Sequence, residues 1–182
     1  MACENPFVTR TPESPEGTSS RWVPPFSAEI VVANLRNAIA DRNVENYVRC
    51  FTDSSRASRR FGFDPEITVA NNNPGAFVNW SLAQERDYFS QLRAAVPSDS
   101  ICSLRLDSLQ TSLFGDSAQF FYTYDLTARH RRQTAGVPGR VQGELRFSLL
   151  KDSFGEWSIQ HWVDFATGPA QTWSALKVAF VR

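Results

Sequence analysis

The stretch AAVPSDSICSLRLD, residues 94–107, changes its hydrophobic period half-way along, and that change decides the fold class. Upstream of Pro97, residues Leu82, Glu85, Tyr88, Phe89, Leu92 and Val96 recur at the three- and four-residue spacing of one helical face. Ser81 and Gln84 hold the two positions of a capping box, and Pro97 ends the segment because proline cannot continue a helix. Downstream, Cys102, Leu104 and Leu106 alternate with Ser103, Arg105 and Asp107. That is the period of a half-buried strand.

The period of two then persists. ICSLRLDSLQTSLF, SAQFFYTYDLTARHRR, RVQGELRFSLLK and EWSIQHWVDFA read as four strands, joined by FGDS, RQTAGVPG and DSFG. Long strands joined one after another predict an antiparallel meander. AQTWSALKVAF predicts a short C-terminal helix, with Trp173, Leu176 and Phe180 on one side.

Before residue 81 the signals are mainly helical. Ser27 is placed to cap a helix whose face is Val31, Leu35, Ala38 and Ile39, with Phe26 and Val31 at the positions of a hydrophobic staple. Asn43 caps a shorter helix through Val44, Tyr47, Val48 and Phe51. The loop that follows is expected to hold one short strand at Ile67 to Ala70. The expected class is therefore α+β: three N-terminal helices packed on a curved, four- to five-stranded antiparallel sheet. Residues 1–26 carry five of the ten prolines, and Thr9 to Arg21 contains no aliphatic or aromatic side chain. They read as a tether, and residues 27–182 as one domain.

Composition excludes several function classes. Nineteen basic residues balance nineteen acidic ones, so no global field draws in nucleic acid. No apolar run is long enough to cross a bilayer, and the first residues show no signal-peptide pattern. Cys3, Cys50 and Cys102, with only two histidines, lack metal-ligand spacing. There is no glycine-rich phosphate loop and no nucleophile elbow, so neither a cofactor nor a metal is expected. NWS at Asn79 matches a glycosylation acceptor, which has meaning only in a eukaryotic secretory setting.

The order of elements, the pair NLRNAIADRNVENYVRCF (34–51) and the last strand WSIQHWVDF (157–165) resemble the nuclear transport factor 2-like superfamily, a cone-shaped α+β fold. The resemblance spans roughly residues 27–166. It implies an interior where isomerase-like and dehydratase-like members place a carboxylate or histidine base beside a hydroxyl or protonated acid. The start of the chain resembles a mature bacterial lipoprotein, with Cys3 as the lipidated residue and the Pro-, Ser- and Thr-rich segment as its tether. That resemblance implies attachment to a bacterial envelope membrane; a cytoplasmic protein with a cysteine-bearing tail is the alternative. With export, Cys50 and Cys102 either pair or remain two buried thiols.

Candidate chemistry in the cone is Asp64, Tyr47, Tyr88, Tyr122, Tyr124, Glu85, His161 and Asp164, of which His161, Tyr124 and Glu85 are the nearest to catalytic candidates. Strict alternation along 157–165 puts Trp157, Ile159, His161, Val163 and Phe165 on the apolar face, and Trp162 and Asp164 on the other. His161 then reads as a hydrogen-bonded core residue, and Tyr122 and Tyr124 as aromatic filling. Asp64 reads as a turn residue before Pro65. Glu85 is either buried, with a raised pKa or a paired arginine, or reaches water from the helix edge. Arg56, Arg59 and Arg60, and ARHRRQ with Arg140, read as solvated basic ends.

No catalytic set emerges. The expectation is a non-catalytic envelope module for binding or assembly; the alternatives are an isomerase- or dehydratase-type enzyme and a carrier of an apolar ligand. Phe121, Leu150 and Trp162 are expected to cluster on the outer side of the sheet as a contact for a second copy or an envelope partner. The competing reading has the C-terminal helix covering that patch.

Overall fold

The structure is a computed structural model, and it describes residues 21–55 and 59–181. Cys3, most of the tether and Arg56 lie outside the described residues. The elements run α1 (Ala28–Asp41), α2 (Val44–Arg49), β1 (Gly62–Asp64), α3 (Ile67–Asn72), α4 (Leu82–Ala95), β2 (Cys102–Phe114), β3 (Ser117–Ala128), a 3-10 turn (Arg131–Ala135), β4 (Arg140–Lys151), β5 (Trp157–Phe165) and α5 (Trp173–Val181). The sheet order is β1-β5-β4-β3-β2. β2 to β5 form the expected antiparallel meander, while β1 lies parallel to β5. The fold class is α+β, as the change of period predicts.

Local chemistry accounts for the boundaries. The Asn43 side chain accepts from the Asn46 N–H at 3.0 Å and starts α2. The Ser81–Gln84 capping box forms at the start of α4. Ser27 is the N-cap of α1, but its side chain makes no capping bond. Phe26 is 64% exposed, so no staple forms. Pro25 is buried instead, and its carbonyl accepts from Trp157 N–H at 2.8 Å. The chain is held just before it too. Buried Asn34 accepts from Val23 N–H at 3.0 Å and donates back to the Val23 carbonyl at 2.6 Å.

Two expectations are corrected. Ile67 to Ala70 is helical, not a strand, because the Glu66 carboxylate accepts from Thr68 N–H at 2.9 Å and Val69 N–H at 2.8 Å. That cap outweighs the β-branched bias of Ile67, Thr68 and Val69. The strand sits five residues earlier, where Phe63 goes into the core.

The second correction concerns β5. Ser148 pairs with His161 but Leu149 pairs with Ile159, so Gln160 is an extra residue in the ladder. Such a bulge reverses which side chains face inward beyond it. Trp157 and Ile159 point in; after Gln160, Trp162 and Asp164 do. His161 lies on the outer side, 3.3 Å from exposed Asp64. Trp162 has no exposure and is therefore not an interface residue. Phe121 and Leu150 stay on the outer side, half-buried.

The concave side of the sheet holds one core. Trp162 packs edge-on to Trp173 with ring centres 4.6 Å apart, and also against Phe63 and Phe147. Tyr47 stacks on Phe89 at 3.9 Å. α5 enters this space between the sheet and α4, burying Trp173, Leu176 and Phe180. It does not cover the outer face.

Candidate functional site

α5 carries one more inward residue, and it is a lysine. Lys177 has no exposure, and neither has Glu85 on α4. Lys177 Nζ donates to Glu85 Oε2 at 2.5 Å. The same carboxylate oxygen accepts from Trp80 Nε1 at 2.7 Å, and Oε1 accepts from the Tyr47 hydroxyl at 2.5 Å. Glu85 is thus the buried member of the two alternatives, and its cation is a lysine rather than an arginine.

Aromatic rings surround the ammonium. Nζ lies 3.7 Å from the ring centre of Trp162, 3.8 Å from Phe63, 5.4 Å from Trp80 and 5.5 Å from Tyr88. The negative faces of these rings offset part of the cost of burying the charge. Burial still dominates: it pushes the Lys177 ammonium down to about 8, against the opposing pull of Glu85.

A second network closes the N-terminal end of α5. Asp164, turned inward by the bulge, accepts from the Tyr124 hydroxyl at 2.8 Å, and from Ser174 N–H at 2.7 Å and Ser174 Oγ at 2.5 Å. Trp173 N–H donates to the Tyr124 oxygen at 2.7 Å, and Trp173 Nε1 to the Tyr88 oxygen at 2.9 Å. Burial raises the Asp164 carboxyl above its usual range, opposed by the donors from Ser174 and Tyr124. Burial also raises Tyr124, helped by the charge of Asp164. Gly143 stands opposite Tyr124 in the ladder, and a Cβ there would come within 2.9 Å of the Tyr124 oxygen. The missing side chain is what lets the hydroxyl reach Asp164.

The far end of α5 is tied as well. Arg132 Nη1 donates to the Ala179 carbonyl at 3.0 Å and its guanidinium lies 4.6 Å from the Phe180 ring centre. The ring of buried His130 packs edge-on to Phe180 at 5.0 Å. Part of ARHRRQ therefore serves as a clamp on the last turn rather than a solvated basic end. Arg140 pairs with Asp125 at the surface.

Of the residues expected in the cone, Tyr47, Glu85, Tyr88, Tyr124 and Asp164 do converge there, and His161 and Asp64 do not. Cys50 and Cys102 are both free and buried, so they do not pair. Burial raises both thiols, Cys102 to about 11. Among the described residues no His, Cys, Asp and Glu group is placed to hold a metal, and no helix is long and apolar enough to cross a membrane. Sequence reasoning missed Lys177 and Trp80. Lys177 occupies position i+4 from Trp173 in a stripe that is otherwise apolar, and a cation at that position was the available signal.

Solved structures share the order of helices and strands. An NTF2-like superfamily protein from Salmonella enterica superposes with a TM-score of 0.53 at 16% identity, covering 78% of this chain and 88% of its own. The fold is the nuclear transport factor 2-like cone. A protein of unknown function from Mycobacterium tuberculosis matches with a TM-score of 0.54, 16% identity and coverage of 84% and 83%. A ketosteroid isomerase-like protein from Erwinia carotovora atroseptica matches with 0.51, 14% identity and coverage of 78% and 94%. At these identities the likeness is one of fold. No protein-family model matches the chain, and no curated protein does. In this cone, the space beneath the helices is taken by the chain's own C-terminal helix.

Proposed function

We propose that this cone is a non-catalytic binding or assembly module, carried at a bacterial envelope membrane by lipid on Cys3. The filled interior is the observation that carries the non-catalytic part of the reading, and the Cys3-bearing Pro-, Ser- and Thr-rich segment is what suggests the anchor. A base in such a cone needs room for substrate beside it. Glu85 accepts three hydrogen bonds and so does Asp164, each at zero or near-zero exposure, and α5 supplies a donor to both. His161, on the outer side, lies against exposed Asp64.

Recognition then falls to the outside of the sheet. On that side Phe114 of edge strand β2 is more than half exposed, Ser117 pairs with both Phe114 and Leu150, and Arg146 lies 5.8 Å from the Phe121 ring centre. Apolar side chains along a sheet edge suit contact with another protein, a second copy or an envelope partner.

The test of the catalytic alternatives uses the wild-type protein with a panel of small cyclic ketones and hydroxy-ketones, followed by Trp fluorescence and product formation. No turnover and no saturable change is expected. Turnover that disappears in Asp164→Asn or Glu85→Gln while the circular dichroism is retained would make the protein an enzyme. Membrane fractionation of cells expressing the full gene tests the anchor: Cys3→Ser is expected to release the protein, and equal membrane retention would remove that part of the reading.

A further inference from the structure

We propose that the cone contains a site for a primary organic ammonium ion, occupied in cis by Lys177, with α5 as its displaceable occupant. The argument starts from which parts of the ammonium's surroundings belong to α5. None of the receptor does. The carboxylate comes from α4 and is held in place by Tyr47 on α2 and by Trp80. The rings around Nζ come from β1 (Phe63), the segment before α4 (Trp80), α4 (Tyr88) and β5 (Trp162). Remove α5 and a hydrogen-bonded carboxylate inside an aromatic cage is left, which is the chemistry that selects organic ammonium ions.

Asp164 adds to this. Two of its three donors come from Ser174 on α5, so withdrawal of the helix also frees a second acceptor. Only Tyr124 would still bind it. The vacated space would hold two carboxylate acceptors and no cation of its own from the residues described around it.

The connection of α5 permits movement of the helix as a unit. Residues 165–171 leading to it are all exposed, and the Gln171 carbonyl, which accepts from Gln142 N–H at 3.0 Å, marks the point from which it would swing. Its polar ties are each made to a side chain or a single backbone group rather than through a ladder: Trp173 to Tyr124 and Tyr88, Ser174 to Asp164 and to Glu66 N–H, Lys177 to Glu85, and Arg132 to the Ala179 carbonyl. An amine that binds only the withdrawn state shifts the equilibrium toward it by the factor 1 + [L]/Kd. The inference goes beyond the closed module and is independent of it: a catalytically silent cone can hold this site, and so can an enzyme.

The test has two arms. In Lys177→Ala, the atoms lost are those of n-propylammonium, so that ion is the probe. Its addition is expected to raise Tm in a saturable way and to give a Kd. Glu85→Gln/Lys177→Ala should lose the response, and n-propanol or sodium chloride at equal concentration should not produce it. In the wild-type chain, hydrogen exchange at α5 amides should accelerate linearly with n-propylammonium, about tenfold at ten times the Kd of the withdrawn state that the slope gives, with α1 and α4 unchanged. If Lys177→Ala does not fold, n-propylammonium is titrated against wild-type exchange directly, where a linear rise confined to α5 supports the proposal. An equal response to n-propanol, no change of α5 exchange in wild type, or equal acceleration of all helices would overturn it.

Discussion

Glu85 and Lys177, 92 residues apart in the chain, form an ion pair with no solvent exposure at either side chain. Two charges removed from water are costly, and only the other donors to Glu85 and the surrounding rings make the pair tolerable. Loss of one partner leaves the other charge buried and alone. Lys177→Met is expected to cost about 3–5 kcal/mol. Glu85→Gln/Lys177→Met should recover part of that loss. Urea titrations of the single and double variants measure it, and additive losses would mean that the two groups act separately.

Deletion of Gln160 removes the bulge residue of β5. His161 would then follow Ile159 directly, the pairs Leu149–Ile159 and Ser148–His161 would become consecutive, and Trp162 and Asp164 would still face inward. The deletion is therefore expected to fold, whereas an alanine inserted between His161 and Trp162, with the pairing at the bulge kept, turns Trp162 and Asp164 outward and is expected to abolish folding. Soluble yield and circular dichroism separate the two. A stable insertion variant would show that the register does not hold Trp162 in place.

Trp162→Arg buries a guanidinium among Phe63, Phe147 and Trp173. Its effect should be on stability, with a loss of more than about 4 kcal/mol, the scale of a large core truncation with an added unpaired charge. Sedimentation of the folded fraction should match wild type. A folded variant with altered association would return Trp162 to the surface.

Gly143→Ala tests the approach of Tyr124 to Asp164. The new methyl meets the Phe165 carbonyl at 2.4 Å as well as the Tyr124 hydroxyl. Tyr124 must swing away, leaving Asp164 with the Ser174 donors alone. A loss of about 1–3 kcal/mol is expected, the scale of a strained and under-bonded buried group. Tyr124→Phe should reduce the further cost of Gly143→Ala, since part of the clash goes with the hydroxyl.

Glu66 links α3 to pH. Burial would raise its carboxyl, but the N–H groups of Thr68 and Val69 outweigh that and hold it below the usual range. A carboxylate with a lowered folded pKa adds stability above its unfolded pKa and loses it as pH falls through the folded one. The difference in stability between wild type and Glu66→Gln should therefore be present at pH 6 and shrink as pH falls from about 5 toward 3. Denaturant titrations across that range check it, and a difference that grows on acidification would contradict the cap.

What the sequence determined by itself was everything carried by local periodicity and capping. The switch of period after Pro97, the Ser81–Gln84 box, the Asn43 cap and the four strand segments specify an α+β chain ending in a helix, because short-range sterics and hydrogen bonds act wherever the residues stand. The resemblance to the cone named Tyr47, Tyr88, Tyr124, Glu85 and Asp164 as candidates together with Asp64, Tyr122 and His161, while strict strand parity put Asp164 outside and His161 inside. Tertiary structure decided which of them meet. One extra residue in the β5 ladder, visible only in its pairing with β4, exchanged the places of His161 and Trp162 and carried Asp164 inside. A lysine in an apolar helical stripe signals a buried partner but does not name it. Glu85 lies on another helix, and Phe63 and Trp162 on two strands. Long-range contacts of this kind depend on how far-separated segments pack, and no local period encodes them.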